Sequence, residues 1–435
     1  MCFICIIANE ACNSHNLNYE PTSKDLFQVL SAKNNGIKSF ILPESNDLEQ
    51  IPQDTSNPLS TIKIELGKFI FFDPALSFDP KCKAAAQTFS CASCHFADAG
   101  FQAGIKQSIA GGGQGHGLLR HRHPSCDTID LDLQMLRTPS IVNSAYQEVQ
   151  LWSGKLGSSG PNKGTDSLWP KGSFVELNRL GMQGVETQAR VALEAHGIRM
   201  NPTLITQTKY GSMFDSAFNG VDPRLKYRRF TMAKAIAAYE RTVLTNQAPF
   251  QQWLKGDSNT MTKNQIKGAL LFFGKAGCDH CHTGSALNSM NFFALGVNDM
   301  EGEEVIQKLD APADTKLGRA GFTHLEQDNF KFKVPQLYNL KNLEFLGHGG
   351  GFCSIEEVIR YKNNGIPQNP NVNKKYIDPL FKPLHLNDSE IKALCDFIEN
   401  ALYDPNLKRY EPYHVPSGFC FPNADKMSKI QLHCP

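Results

Sequence analysis

Two pentapeptides constrain this chain more than anything else in it: Cys91-Ala92-Ser93-Cys94-His95 and Cys278-Asp279-His280-Cys281-His282. Each sets two thiols one helical turn apart with a histidine directly after the second, the form that reads as covalent c-type haem attachment. Each thiol can add to a porphyrin vinyl group, and the histidine then lies under the iron as its proximal ligand. A zinc site built from two Cys-x-x-Cys pairs, or a thioredoxin-like redox pair, accounts for the cysteines. Neither gives a reason for a histidine at the same place twice. The motifs therefore imply two covalently bound haem c groups, attached at Cys91, Cys94, Cys278 and Cys281, with His95 and His282 on the irons.

A length of 435 residues suggests two or three domains, and the motifs lie far enough apart for each to own one. With 41% hydrophobic residues and a net charge of +1, the composition is that of an ordinary soluble globular protein. No basic excess points to nucleic acid, and no acidic tail to a charged partner.

The motifs use four of 13 cysteines, leaving Cys2, Cys5, Cys12, Cys82, Cys126, Cys353, Cys395, Cys420 and Cys434. Attachment of haem c takes place outside a bacterial inner membrane, where disulfides persist. Cys420 with Cys434, or Cys353 with Cys395, are candidate pairs, and free buried cysteine is the alternative for each. No stretch reaches the length of a membrane span. Residues 2–8 are apolar but short for a signal core and lack a basic flank. Ala11-Cys12 fits a lipoprotein junction, which makes Cys12 a candidate lipid anchor; periplasmic or exported location follows from the haem motifs.

Residues 1–57 read as a signal and extension, polar beyond residue 12 and lying over the surface. Gly111–His123 and Gly154–Gly172 read as long loops. Regular structure is mostly helical. Thr231–Asn246 sets Met232, Ala235, Ile236, Tyr239 and Val243 on one stripe. Thr262 with Gln265, Ser354 with Glu357, and Asn387 with Glu390 are capping boxes that open further helices. Alternating strand patterns are scarce, so the expected fold class is all-α. The expected division is a first domain over 58–245 and a second over 246–435, whose tail packs back over both.

The words around the motifs resemble those of bacterial di-haem cytochrome c peroxidases and their MauG-like branch. They run from Leu66-Gly67-Lys68-Phe69 and Phe72-Asp73-Pro74 through the first motif to Arg137-Thr138-Pro139-Ser140 and Leu151-Trp152-Ser153-Gly154-Lys155. Glu186-Thr187-Gln188-Ala189, Ala238-Tyr239-Glu240-Arg241-Thr242, Gly318-Arg319, Phe332-Lys333-Val334-Pro335 and Gly347-His348-Gly349-Gly350 follow in order, over about residues 58–405. The resemblance implies two cytochrome c-like domains, peroxide reduction at the haem of His95, and electron storage at the haem of His282. It sets Trp152 between them as an electron relay and Arg319 among the cofactor-binding residues. By itself, Trp152 reads as a core aromatic.

The resemblance frays around the irons. Some relatives cap the first iron with a histidine from a Gly-His-Gly loop; here that is His116, with His121 and His123 as rivals or all three exposed. The family's distal glutamate, followed by methionine, is replaced by Arg199-Met200. Glu194 and His196 are the substitutes, His196 preferred because its pKa lies near neutrality; a surface histidine at a helix end is the alternative. The family's methionine or tyrosine ligand of the second iron falls on Lys362, beside Tyr361. Met290 and Met300 are further candidates, and Lys362 reaching to solvent is the alternative. Arg137 takes the place of a calcium-binding asparagine, which puts a cation where a cation should bind and leaves calcium doubtful.

The expected activity is reduction of hydrogen peroxide with electrons from a small cytochrome c or cupredoxin. A MauG-like oxidase of a protein or small molecule, and a non-enzymatic electron carrier, are the alternatives. A homodimer is expected by analogy.

Overall fold

The computed structural model describes residues 21–33, 35–303, 305–306 and 313–434. Cys2, Cys5 and the lipid-anchor candidate Cys12 lie outside the described residues. The fold is helix-rich with few strands. Among the described residues the only ladders are two antiparallel pairs of two-residue strands, Gly113–Gln114 with His121–Arg122 and Phe292–Phe293 with Phe332–Lys333. No helix there is long and apolar enough to cross a membrane.

Local chemistry sets the helix ends. Thr262 and Gln265 exchange reciprocal hydrogen bonds at the start of Lys263–Phe272, as do Asn387 and Glu390 at the start of Asp388–Asp396. At Ile355–Asn364 only half of the expected box forms: Ser354 caps Glu357, whose carboxylate accepts instead from the Cys353 amide. The helix Arg229–Thr242 stops four residues before its predicted end. The next amides leave it because Asn143, on a neighbouring turn, takes the Thr245 amide and hydroxyl.

One packing arrangement occurs twice. In Thr61–Phe72, Gly67 lies against Arg229–Thr242 so closely that a Cβ would sit 1.8 Å from the Ala235 carbonyl oxygen. In Lys263–Phe272, Gly268 lies against Asp388–Asp396, with a Cβ position 2.0 Å from the Ala393 carbonyl oxygen. Only glycine permits such an approach. Four residues beyond each glycine stands a phenylalanine, and four beyond each alanine an aromatic partner. The Phe71 and Tyr239 rings lie 5.3 Å apart, Phe272 and Phe397 5.5 Å. The same phenylalanines face the motif histidines, Phe71 at 6.1 Å from His95 and Phe272 at 6.4 Å from His282.

Two large cores result. One holds Leu66, Phe71, Phe72, Phe214 and Tyr239; the other Phe250, Phe272, Phe273, Leu394 and Phe397. Val243 belongs to the first core and Leu244 to the second, in which Phe96, Ala99 and Ala145 also pack.

The N-terminal end departs from expectation, whereas the C-terminal segment does pack back. The N-terminal segment is not simply laid over the surface. Thr22 and Asp25 cap the helix Ser23–Ser31, which turns Leu26 and Leu30, one helical turn apart, fully into the second core. The C-terminal segment packs on the first core, to which it contributes Leu407, Tyr410 and Val415. Its Cys420–Cys434 disulfide forms as expected, and Cys82–Cys126 is a second. Cys353 and Cys395 are both free, the one exposed and the other buried, so that candidate pair is corrected.

Candidate functional site

Each motif folds into a single tight turn. The amides of Cys94 and His95 both donate to the Cys91 carbonyl, and those of Cys281 and His282 to the Cys278 carbonyl. All four thiols are free of disulfides. Burial raises them, Cys94 to about 11 and Cys278 to about 12, so they stay protonated.

The histidines are prepared in the same way. His95 Nδ1 lies 3.1 Å from the Phe101 carbonyl; His282 Nδ1 lies 3.0 Å from that of Leu287 and 3.1 Å from that of Pro335. A carbonyl only accepts, so Nδ1 carries the proton and Nε2 presents its lone pair. Burial pushes both pKa values down to about 4, which keeps the rings neutral. A neutral imidazole with its far nitrogen held by a carbonyl is the usual state of a metal-ligating histidine. Two thiols and such a ring in one turn fit haem c at both places.

Two cavities adjoin the motifs. The smaller, about 80 Å³, is lined by Cys94, His95, Gln150, Gln188, His196 and Glu240. The larger, about 250 Å³, is lined by Cys281, His282, Trp152, Arg137, Lys333 and Lys362 among others. Pro139, Ser140, Gln150 and Leu151 line both, so one short partition separates them. In that partition Leu151 has φ +72°, a conformation that costs a leucine about 1–2 kcal/mol. Trp152 is anchored by its indole N–H, which donates to the Arg137 carbonyl at 2.7 Å.

His196, at the end of the helix Gly184–Ala195, faces the first cavity. Burial lowers its pKa, but the charge and hydrogen bond of Asp132 at Nδ1 outweigh this, and the net shift is upward. Glu194 points to solvent and pairs with Arg190 at 2.7 Å. Arg199, in the place of the family's glutamate, pairs with Asp79 at the surface.

His116 lines neither cavity. Its ring packs 5.9 Å from Phe96, and its amide donates to Gln431 Oε1 of the C-terminal segment. His121 is exposed, and His123 Nδ1 accepts from the Ser125 amide. Arg319 also lines neither cavity. Its guanidinium donates to the carbonyls of Ser153, Gly154 and Pro161, and so fixes the loop that follows Trp152.

At the second cavity Lys362 turns inward rather than to solvent. Its ammonium lies 5.5 Å over the Phe381 ring, and burial lowers its pKa despite the nearby Cys281 and Cys278 thiols. Tyr361 lines the same cavity with its hydroxyl donated to the Leu295 carbonyl. Met290 and Met300 do not line it.

Sequence reasoning missed Glu240. It sits inside a recognised word, but only the fold shows it lining the first cavity, where burial raises its pKa to about 8.

Residues 61–259 match the family model of the di-haem cytochrome c peroxidases. The resemblance read from the sequence is thereby borne out, and the chain is similar to bacterial di-haem cytochrome c peroxidases and MauG-like proteins. It is 26% identical to the methylamine utilization protein MauG of Methylorubrum extorquens, over 82% of this chain and 83% of that protein. It is also 26% identical to the cytochrome c551 peroxidase of Pseudomonas aeruginosa, over 73% and 76% respectively. A solved MauG-like protein associated with microbial copper homeostasis shares the fold, with a TM-score of 0.57 and 21% identity over 85% of this chain and 95% of that one.

Proposed function

We propose that this protein is an exported di-haem peroxidase that reduces hydrogen peroxide to water with two electrons and two protons. The electrons come singly from a small periplasmic cytochrome c or cupredoxin. One haem c is attached in a first domain, residues 58–245, and one in a second, residues 246–405. The observation that carries this reading is the pair of adjoining cavities, each with a neutral motif histidine and joined by the Gln150–Leu151 partition next to Trp152.

His95 and His282 would hold the haem groups, which when bound would supply redox chemistry toward peroxide at the first site and electron storage at the second. The protein's own groups do the rest. His196, oriented by Asp132, takes a proton at Nε2 and returns it. Glu240, protonated at neutral pH, holds a second proton in the same cavity. Trp152, fixed at its indole nitrogen, bridges from the second site to the partition. Lys362 and Tyr361 line the cavity of His282 and are the side chains that would help hold a haem there.

A MauG-like oxidase of a protein or small molecule is the second reading. His116 standing outside the first cavity, and Tyr361 lining the second, favour it.

Absorption of the anaerobically reduced protein should show two c-haems per chain, and steady-state assays should show peroxide consumed with reduced cytochrome c. Fewer than two haems overturns both readings. Two haems without turnover of reduced cytochrome c leaves the oxidase.

A further inference from the structure

One wall of the second cavity collects nitrogens that no described residue satisfies. Gln102 Nε2, Arg137 Nε and Gln150 Nε2 are buried there with no hydrogen-bond partner, and so is His348 Nε2, which lies 3.6 Å from Asp299. A buried polar group normally has a partner, and a cluster of orphans that are all nitrogens calls for an acceptor from outside.

The charges on this wall agree. Arg137 is 4% exposed; its guanidinium donates to Gln102 Oε1 at 2.7 Å and to the Ala103 carbonyl at 3.2 Å. Lys333 is 6% exposed and donates to Gln147 Oε1 at 2.6 Å. Among the described residues neither has a carboxylate partner. A cation buried without an anion costs several kcal/mol. Asp299, the acid in this cavity, is engaged by Asn369 and lies beside His348. Lys316 and Lys362 add further cations to the lining, and much of the remainder is apolar, including Leu295, Val297, Leu337, Ile355, Ile359 and Val372. Such a cavity suits a flat apolar ligand with an anionic edge.

We propose that Arg137, Lys333, Gln102 and Gln150 form the binding site for the propionate carboxylates of the haem attached at Cys278 and Cys281. This rests on the two-haem reading above. Arg137 is the permanent charge of the site. Burial lowers its pKa to about 10, which leaves it protonated at neutral pH, whereas Lys333 falls to about 7. Its backbone is fixed on both sides, the amide donating to the His348 carbonyl and the carbonyl accepting from Trp152. A fixed cation at the carboxylates favours the reduced iron, which carries one positive charge fewer.

The test is redox titration of the whole haem-loaded protein, with haem counted in every sample. Arg137→Gln should keep two haems per chain but lower the reduction equilibrium constant of the second haem at least tenfold, or 59 mV for one electron. The potential should also become pH-dependent near neutrality, because a buried carboxylate without its cation takes up a proton. Arg137→Lys should restore most of the wild-type potential, which a merely structural role would not require. If Arg137→Gln does not accumulate, Lys333→Gln replaces it: a lowered potential at pH 6 supports the site. Unchanged potentials in the variants, with two haems bound, overturn the carboxylate site alone. Fewer than two haems in the wild type overturns the two-haem reading and this proposal with it.

Discussion

In the proposed peroxidase the distal chemistry rests on His196, because Arg199, where the resemblance sets the distal glutamate, is spent on a surface ion pair. General acid–base catalysis contributes about 10²–10⁴-fold, or about 2.7–5.5 kcal/mol of barrier. Glu240 faces the same cavity and holds a proton at neutral pH, so His196→Ala leaves one proton source in place. The loss should therefore fall near the lower bound, about a hundredfold in the rate of the stopped-flow reaction with peroxide, with two haems per chain retained. Asp132→Asn gives the pH signature. His196 must be neutral to accept a proton, so the rate climbs as pH rises through its raised pKa. Without the Asp132 charge, burial acts unopposed, the pKa falls, and that limb of the profile moves to lower pH. A His196→Ala protein that reacts at the wild-type rate refutes the assignment. So does an Asp132→Asn profile with its limb unmoved.

Gly268→Val should destabilise the second core by at least the 1–3 kcal/mol typical of overpacking, since its Cβ would meet the Ala393 carbonyl at 2.0 Å; an unchanged melting temperature would contradict that crossing. Peptide mapping under non-reducing conditions should recover Cys82 linked to Cys126 and Cys420 to Cys434, with Cys353 open to alkylation in the native protein. A Cys353–Cys395 peptide would contradict the fold.

The parts of this protein that sequence determined are those written in contiguous residues. A Cys-x-x-Cys-His turn is local, so its thiols and its histidine could be assigned without knowing what surrounds them. The same holds for the boxes at Thr262 and Asn387, where a side chain meets an amide three residues away. The Cys420–Cys434 pair was legible because 14 residues separate its ends, whereas Cys82–Cys126 spans 44 and depends on how two loops are brought together.

Helical pattern separated Glu194 from His196 only in part. It set them two residues apart, on different sides of the helix end, but not which one faced a cavity. That was decided by Asp132, 64 positions away, which holds the imidazole. The same is true of the chain ends. Composition marked the N-terminal segment as polar, yet two leucines one helical turn apart sufficed to seat its helix in the second core. Arg137 was noticed as a misplaced cation, but its isolation from any carboxylate among the described residues is a property of the assembled wall and of no single segment. Covalent chemistry and capping act over one turn and are readable in sequence. Burial, charge and cavities act through space between distant segments, so tertiary structure alone decided them.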